Sequence, residues 1–400
     1  MAITLKITTF QVKPTNLTTE FESSHPFIAA RTMHFVVAFS YICFTHSIQF
    51  HPKMAPFPCL PFFTTTKSKT TSNSNPIEQL CHRFSFSELQ AATNGFMPSL
   101  IVSGEGQCKV YKAHLKGHGD VAIKHFEIKS PDRDIEFRVE VEILCQLHHP
   151  NVVPLVGFCE HKNDKFVVYD YVSNGSLHDC LHGTNKNSAV PLSWIQRLNI
   201  CIGVARGLHY IYFETKIPIM HRAVKSSNIL LDRNLVPKVA DFGLCKKHPQ
   251  EESRPKPPRV ELRENLEVSL EYMEPEYFMT GRLSKKFDVY SFGVVMLEIV
   301  CRKEACFLTP GGDCEYLVKW AFEDERKGVL EKIVDPSLIG KIAPSCWEVF
   351  IEIVQRCLAS VEERPTMGEV VVILENAFLL QERADVWKSV MSQRPLGREI

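Results

Sequence analysis

The chain has no surplus of charge of either sign: 46 Lys plus Arg are offset by 46 Asp plus Glu over 400 residues. A general nucleic-acid binder needs a basic field to capture phosphates, so neutrality excludes that class and leaves no nucleic-acid partner to expect. No two of the 14 cysteines stand at Cys-x-x-Cys spacing, which removes zinc and redox sites of that type. Several cysteines, Cys201 and Cys357 among them, fall inside apolar helical patterns where a thiol acts as a small hydrophobe. Reduced core cysteines of a cytosolic protein are the expectation, with no disulfide framework. A long apolar run is also missing. Phe27 to Phe50 leans apolar, but Arg31 and His34 interrupt it and its cleanest stretch, Phe35 to Phe44, has ten residues. A spanning helix needs about 20. A signal peptide fits poorly, because the apolar centre starts late and no small-residue cleavage site follows.

Acid is scarce at the start. The first 80 residues hold only three acidic side chains, and Thr64 to Pro76 is a Thr/Ser/Asn/Pro tract unable to bury enough apolar surface to repay its ordering. Residues 1–83 are therefore expected to be a disordered extension with a weak hydrophobic stretch at 27–50. From Phe84 the pattern changes to that of a folded domain. Short β-rich runs occur at Lys109 to Ala113, Asp120 to Phe126, Val152 to Phe158 and Lys165 to Val172. A helical segment, Arg133 to Leu147, lies between the second and third, with Phe137, Val141 and Leu144 on one face. After Gly175 helices dominate. Trp194, Leu198, Cys201, Ala205, Leu208 and Tyr212 line one face of a long helix, and Val289 to Val300 is apolar enough to be buried all round. Strands first and helices after imply an α+β domain of two lobes with a cleft between them. The N lobe is expected over about 96–172 and the C lobe over about 173–380, in a domain of 84–380 with a tail at 381–400.

The chemistry-bearing residues fall in a fixed order. Val121-Ala122-Ile123-Lys124 puts a lysine on a strand, and Glu140, sixteen residues on, sits on the helix face that can reach back to it. Such a pair holds an ammonium against a phosphate. His221-Arg222-Ala223-Val224-Lys225-Ser226-Ser227-Asn228 is followed after twelve residues by Asp241-Phe242-Gly243. An amide oxygen and a carboxylate from two adjacent loops make a hard-oxygen site suited to Mg²⁺. Glu274-Pro275-Glu276 and Asp288-Val289-Tyr290-Ser291-Phe292-Gly293 come next. Each piece alone is a weak match, but the ordered set is not a chance occurrence.

That set, from about Phe96 to about Leu380, resembles the eukaryotic protein kinase domain. FSFSELQAATNGF, RLNICIGVARGLHY, VKSSNILLD and YFMTGRLSKKFDVYSFGVV narrow the resemblance to the plant receptor-like Ser/Thr kinases of the FERONIA type and their cytoplasmic relatives. The resemblance implies a β-rich N lobe, a helical C lobe and Mg-ATP in the cleft. Val102, Gly104, Gly106 and Val110 would cover the nucleotide, and Ala122, Tyr169, Asp170 and Val172 would surround the adenine at the hinge. Lys124 and Glu140 would serve the phosphates, Asn228 and Asp241 the metal, and Lys225 would lie near the transferring phosphate. Asp288 would brace the catalytic loop, and a Glu276 to Arg364 pair would tie the activation segment to the C lobe. Signalling on the cytosolic side of the plasma membrane follows from the same resemblance. The partners implied are proteins, an active receptor-like kinase or its substrates.

Three elements depart from the family pattern. Ala223 stands where the family has the aspartate that takes the proton of the substrate hydroxyl. General-base contributions are about 10² to 10⁴ in rate, so transfer is expected to be severely impaired. The glycine loop reads Val102-Ser103-Gly104-Glu105-Gly106-Gln107-Cys108-Lys109-Val110. Anchored on Val110, the glycine positions become Ser103, Glu105 and Cys108, whereas a one-residue deletion rescues Gly104 and Gly106 but not the third. The activation segment, Asp241 to Glu276, is charged and proline-rich, with Ser253 and Ser269 its only Ser or Thr hydroxyls, and Val268 and Glu271 occupy positions where relatives have glycine. Departures in three active-site elements favour natural loss of catalysis over a single introduced change. Three readings follow: a pseudokinase that scaffolds or regulates, a slow but genuine Ser/Thr kinase, and an ATP sensor without transfer.

Overall fold

In the computed structural model, residues 81–104, 108–183, 192–247, 269–281, 283–309, 311–325 and 333–392 are described. The first half alternates apolar residues at period two and pairs into a sheet. Its strands are β1 (His82–Arg83), β2 (Ile101–Ser103), β3 (Cys108–Leu115), β4 (Gly119–Glu127), β5 (Leu155–His161) and β6 (Asp164–Asp170). They form a six-stranded sheet in the order β1-β5-β6-β4-β3-β2, antiparallel except for the β1–β5 pair. One short helix, α1 (Phe86–Ala92), is opened by a capping box in which Ser85 and Glu88 satisfy each other's backbone N–H groups. Its Leu89 packs with Val121, Ile123, Phe166 and Val168 in one core. Strand alternation sends the intervening residues the other way. Phe126, Val167 and Tyr169 join a second core with Phe137 and Val141 of helix α2 (Pro131–Leu144). Lys124 shares their parity on β4, which is why it points at α2 and the cleft.

The second half is helical: α3 (Leu177–His182), α4 (Trp194–His209), α5 (Pro275–Thr280), α6 (Phe287–Cys301), α7 (Leu317–Glu325), α8 (Pro344–Leu358) and α9 (Met367–Ser392). Every residue of α6 except Asp288 is buried, as its unbroken apolar run requires. Helix α4 starts at a Ser193/Gln196 capping box and is prolonged by a π turn at Tyr210–Glu214. Between α4 and α5 the chain forms short strand pairs that carry the loops of the cleft. These are β7 (Ile219–Met220) with β10 (Lys246–Lys247), and the hairpin of β8 (Ile229–Leu231) and β9 (Pro237–Val239).

The strand expected at Val152 to Phe158 is found at Leu155–His161, because the chain at Val152 instead bridges to Val239 of the β8–β9 hairpin, the Val153 N–H donating to the Val239 carbonyl and the Val239 N–H to that of Asn151. The helix expected at Arg133 to Leu147 begins two residues earlier, with Pro131 at its first turn where a missing N–H costs nothing. Sheet pairing begins at His82, and α9 runs unbroken through residue 380. One expectation fails. Cys306 and Cys314 form a disulfide across a hairpin of β11 (Cys306–Leu308) and β12 (Cys314–Tyr316). Strand pairing brings together two cysteines whose spacing in sequence is no recognised motif. Cys201 and Cys357 are free and fully buried. Among the described residues no helix is long and apolar enough to cross a membrane, and the 27–50 stretch lies outside them.

Candidate active site

Three elements converge on one ammonium. Lys124 Nζ on β4 donates to Glu140 Oε2 of α2 at 2.9 Å and to Asp241 Oδ1, just beyond β9, at 2.7 Å. Burial alone would lower the affinity of Lys124 for its proton, but the two carboxylates override it and hold the lysine charged. Burial would raise Asp241, and the Lys124 charge and hydrogen bond reverse this, bringing it down to about 2. Asp241 adopts a left-handed backbone, φ 69°, which aims its carboxylate at Lys124. Glu140 is fully buried, and its other oxygen accepts from Tyr169 Oη at 2.6 Å and from the Phe242 N–H at 3.3 Å. Burial and the adjacent Glu140 charge push the Tyr169 phenol well above its ordinary range, so it acts as a neutral donor.

Beneath this cluster lies the 221–228 loop. Asp288, at the start of α6, accepts from the His221 N–H at 2.7 Å and the Arg222 N–H at 2.8 Å. The loop turns through a left-handed Arg222, φ 67°. His221 and Phe242 meet edge to face at 4.7 Å. Asn228 Nδ2 donates to the Ala223 carbonyl at 2.9 Å and to Asp241 Oδ2 at 3.2 Å, so the amide and the carboxylate face each other. An ionised carboxylate beside an amide is a pair of the hard-oxygen kind that fits Mg²⁺, with the amide nitrogen rather than its oxygen turned toward Asp241 here. Lys225 Nζ donates to Ser269 Oγ at 3.2 Å across a small cavity that Ala223 also lines.

Residues 101–374 match the family described as Protein tyrosine and serine/threonine kinase. The chain belongs to that kinase family. Its curated relatives are plant receptor-like kinases of Arabidopsis thaliana. It is 42% identical over 313 residues to the receptor-like protein kinase ANXUR2, covering 78% of this chain and 35% of that one. The receptor-like protein kinase FERONIA is 41% identical over 325 residues, covering 80% and 35% respectively. For the receptor-like protein kinase HERK 1 the figures are 40% over 319 residues, 80% and 37%. The chain spans about a third of the length of the curated relatives it matches.

Within this kinase domain the other described residues expected at the site lie on or next to strands of the six-stranded sheet. Ala122 and Tyr169 are partners across the β4–β6 ladder, and Val110 faces Lys124 across β3–β4. Asp170 ends β6, and the following Tyr171 N–H bonds the Asp120 carbonyl at 3.1 Å, with Val172 next in the chain. Val102 is about half exposed on β2. The β2–β3 register, Ser103 opposite Val110, brings Gly104 against the opposing strand. A Cβ on Gly104 would stand 2.9 Å from the Cys108 carbonyl oxygen, so glycine is required there by hairpin crowding. Gly106 lies outside the described residues.

Two buried polar groups escaped the sequence reading. Arg364 pairs with Glu276 at 2.6 Å, as expected, but also with Glu274, and both Arg364 and Glu274 are buried. The guanidinium lies over the Tyr290 ring, 4.9 Å from its centroid. Below the catalytic loop, buried Glu298 accepts from Tyr272 Oη at 2.7 Å and Ser226 Oγ at 3.1 Å. The only signal for Glu298 was an acidic residue inside an otherwise apolar helix.

Proposed function

We propose that this protein is a signalling kinase homologue with a nucleotide cleft but without efficient phosphoryl transfer, a pseudokinase that offers kinase-shaped surfaces to an active receptor-like kinase or its substrates. Work at the inner face of the plasma membrane is part of this reading and rests on the likeness to receptor-like kinases. The observation that carries it is Ala223. Among the described residues, Asp241 is the one carboxylate lining the cavity at Ala223, and it is bonded to Lys124 and Asn228 and held near 2, which makes it a poor proton acceptor. The Lys124–Glu140 pair and the Asn228–Asp241 pair support retained binding of ATP, with Mg²⁺ supplying charge neutralisation at its phosphates when bound.

The competing reading is a slow Ser/Thr kinase, favoured by the intact Lys124–Glu140–Asp241 geometry, since phosphoryl transfer depends mainly on positioning and charge. Transfer from labelled ATP by the full chain beside its Ala223→Asp variant separates the two. The variant is expected to be faster by roughly 10² to 10⁴. Equal rates would end the pseudokinase reading. Nucleotide binding is tested separately by thermal unfolding in rising Mg-ATP, where stabilisation of about 2.7 kcal/mol is expected at a hundredfold excess over Kd.

A further inference from the structure

Replacing a catalytic aspartate by alanine removes the three heavy atoms of a carboxyl group. Here a cavity of about 40 Å³ lies beside Ala223, lined also by Lys225, Asn228, Asp241 and Ser269. At about 10–15 Å³ for each water-sized occupant, it admits about three heavy atoms. Among the described residues, the one hydrogen-bond partner of the Lys225 ammonium is Ser269 Oγ, which leaves donors of that ammonium for a ligand. Asn228 and Asp241 are tied to each other, and Asp241 also to Lys124, so neither reaches in to replace the lost group. The negative charge of Asp241 opposes an entering anion, and Lys124 and Lys225 offset it.

We infer that the cavity over Ala223 is a carboxylate-binding site, and that a carboxylate seated on Lys225 acts as the proton acceptor the chain lacks. The carboxylate has two possible sources, a small free acid anion or an acidic side chain next to the acceptor hydroxyl in a protein substrate. In the assisted step the acceptor Ser or Thr hydroxyl gives its proton to the carboxylate. Its oxygen forms the new bond to the γ-phosphorus of ATP as the bond from that phosphorus to the ADP oxygen breaks. ADP, phosphorylated hydroxyl and protonated carboxylic acid are the products. The inference rests on the nucleotide reading of the cleft and not on the regulatory role.

The test uses the full chain with sodium formate, against sodium chloride at equal ionic strength. Binding is read directly from the ¹³C line width of labelled formate. Saturable broadening that disappears in Ala223→Val, which fills the cavity without adding a base, is expected. Transfer to a Ser peptide should rise by roughly 10- to 100-fold at saturating formate, up to the lower end of the range for a covalently positioned base. Acetate should do less because of its extra carbon. A peptide with Asp or Glu beside the Ser should outpace its Ala counterpart without formate if the substrate is the source, and equal rates assign the role to free carboxylate. Broadening that persists unchanged in Ala223→Val overturns the site. Formate binding with no gain in transfer, in a protein whose Ala223→Asp variant does transfer, overturns the assisted step. If Ala223→Asp is itself inert, formate binding without any gain in transfer overturns the assisted step all the same, and the binding arm decides the site. Mg-ATP stabilisation measured on the same sample distinguishes failure here from failure of the nucleotide reading.

Discussion

At the scale of single residues, the site turns on how one lysine is shared. Lys124 neutralises both Glu140 and Asp241, and the carboxylate of Asp241 opens toward the cleft with 38% of its side chain exposed. A carboxylate held near 2 when folded and at about 3.9 when unfolded binds fewer protons in the native state between those values. Stability from Asp241 is therefore complete above about pH 5 and is lost as pH falls toward 2. Comparing acid unfolding of the natural chain and Asp241→Asn tests this. The loss of stability from pH 5 to 2 should be shallower in the variant, and identical slopes would contradict the assignment. Water at the half-open carboxylate reduces the effect below that of a fully buried pair.

At the scale of elements, the segment leading into α5 is clamped by Arg364, which enters from the turn between α8 and α9. Its guanidinium reaches Glu274 and Glu276 and lies over the Tyr290 ring of α6, so one cation joins three parts of the C lobe. Glu274 is wholly buried, and removing its partner would leave a charge without compensation. Arg364→Ala is expected to cost about 3–5 kcal/mol in urea unfolding. A loss below 1 kcal/mol would mean that the pair carries little net energy. The resemblance to the kinase family pointed to Glu276 as the partner of Arg364. Glu274 opens the same Glu-Pro-Glu run, and its carboxylate is buried between the Ser284 N–H and hydroxyl and the Arg364 guanidinium.

At the scale of the whole molecule, the sheet and the helical half meet at the same three side chains. Lys124 belongs to β4, Glu140 to α2, and Asp241 to the loop that the β8–β9 hairpin feeds. Lys124→Met should abolish stabilisation by Mg-ATP and also lower the unliganded melting temperature, because buried Glu140 loses its counter-charge. Differential scanning fluorimetry with and without nucleotide reads both effects, and a retained nucleotide shift would remove Lys124 from the binding site.

The order of motifs from Lys124 to Arg364 was legible in the chain alone, because each depends on local pattern: strand alternation at Val121 to Lys124, a buried apolar helix at Val289 to Val300, loop residues at His221 to Asn228. The absence of a carboxylate at 223 was equally a fact of sequence. Long-range packing decided the rest. The burial of Glu274 and Glu298 and the cavity beside Lys225 each depend on which segments meet, and residues remote in the chain carry no local mark of that meeting; the Cys306–Cys314 bond depends on the pairing of β11 with β12. Sequence determined that residue 223 is an alanine, a side chain with no proton acceptor. Tertiary structure decided that a cavity lies beside it, because Asn228 and Asp241 are held by partners of their own and do not reach in.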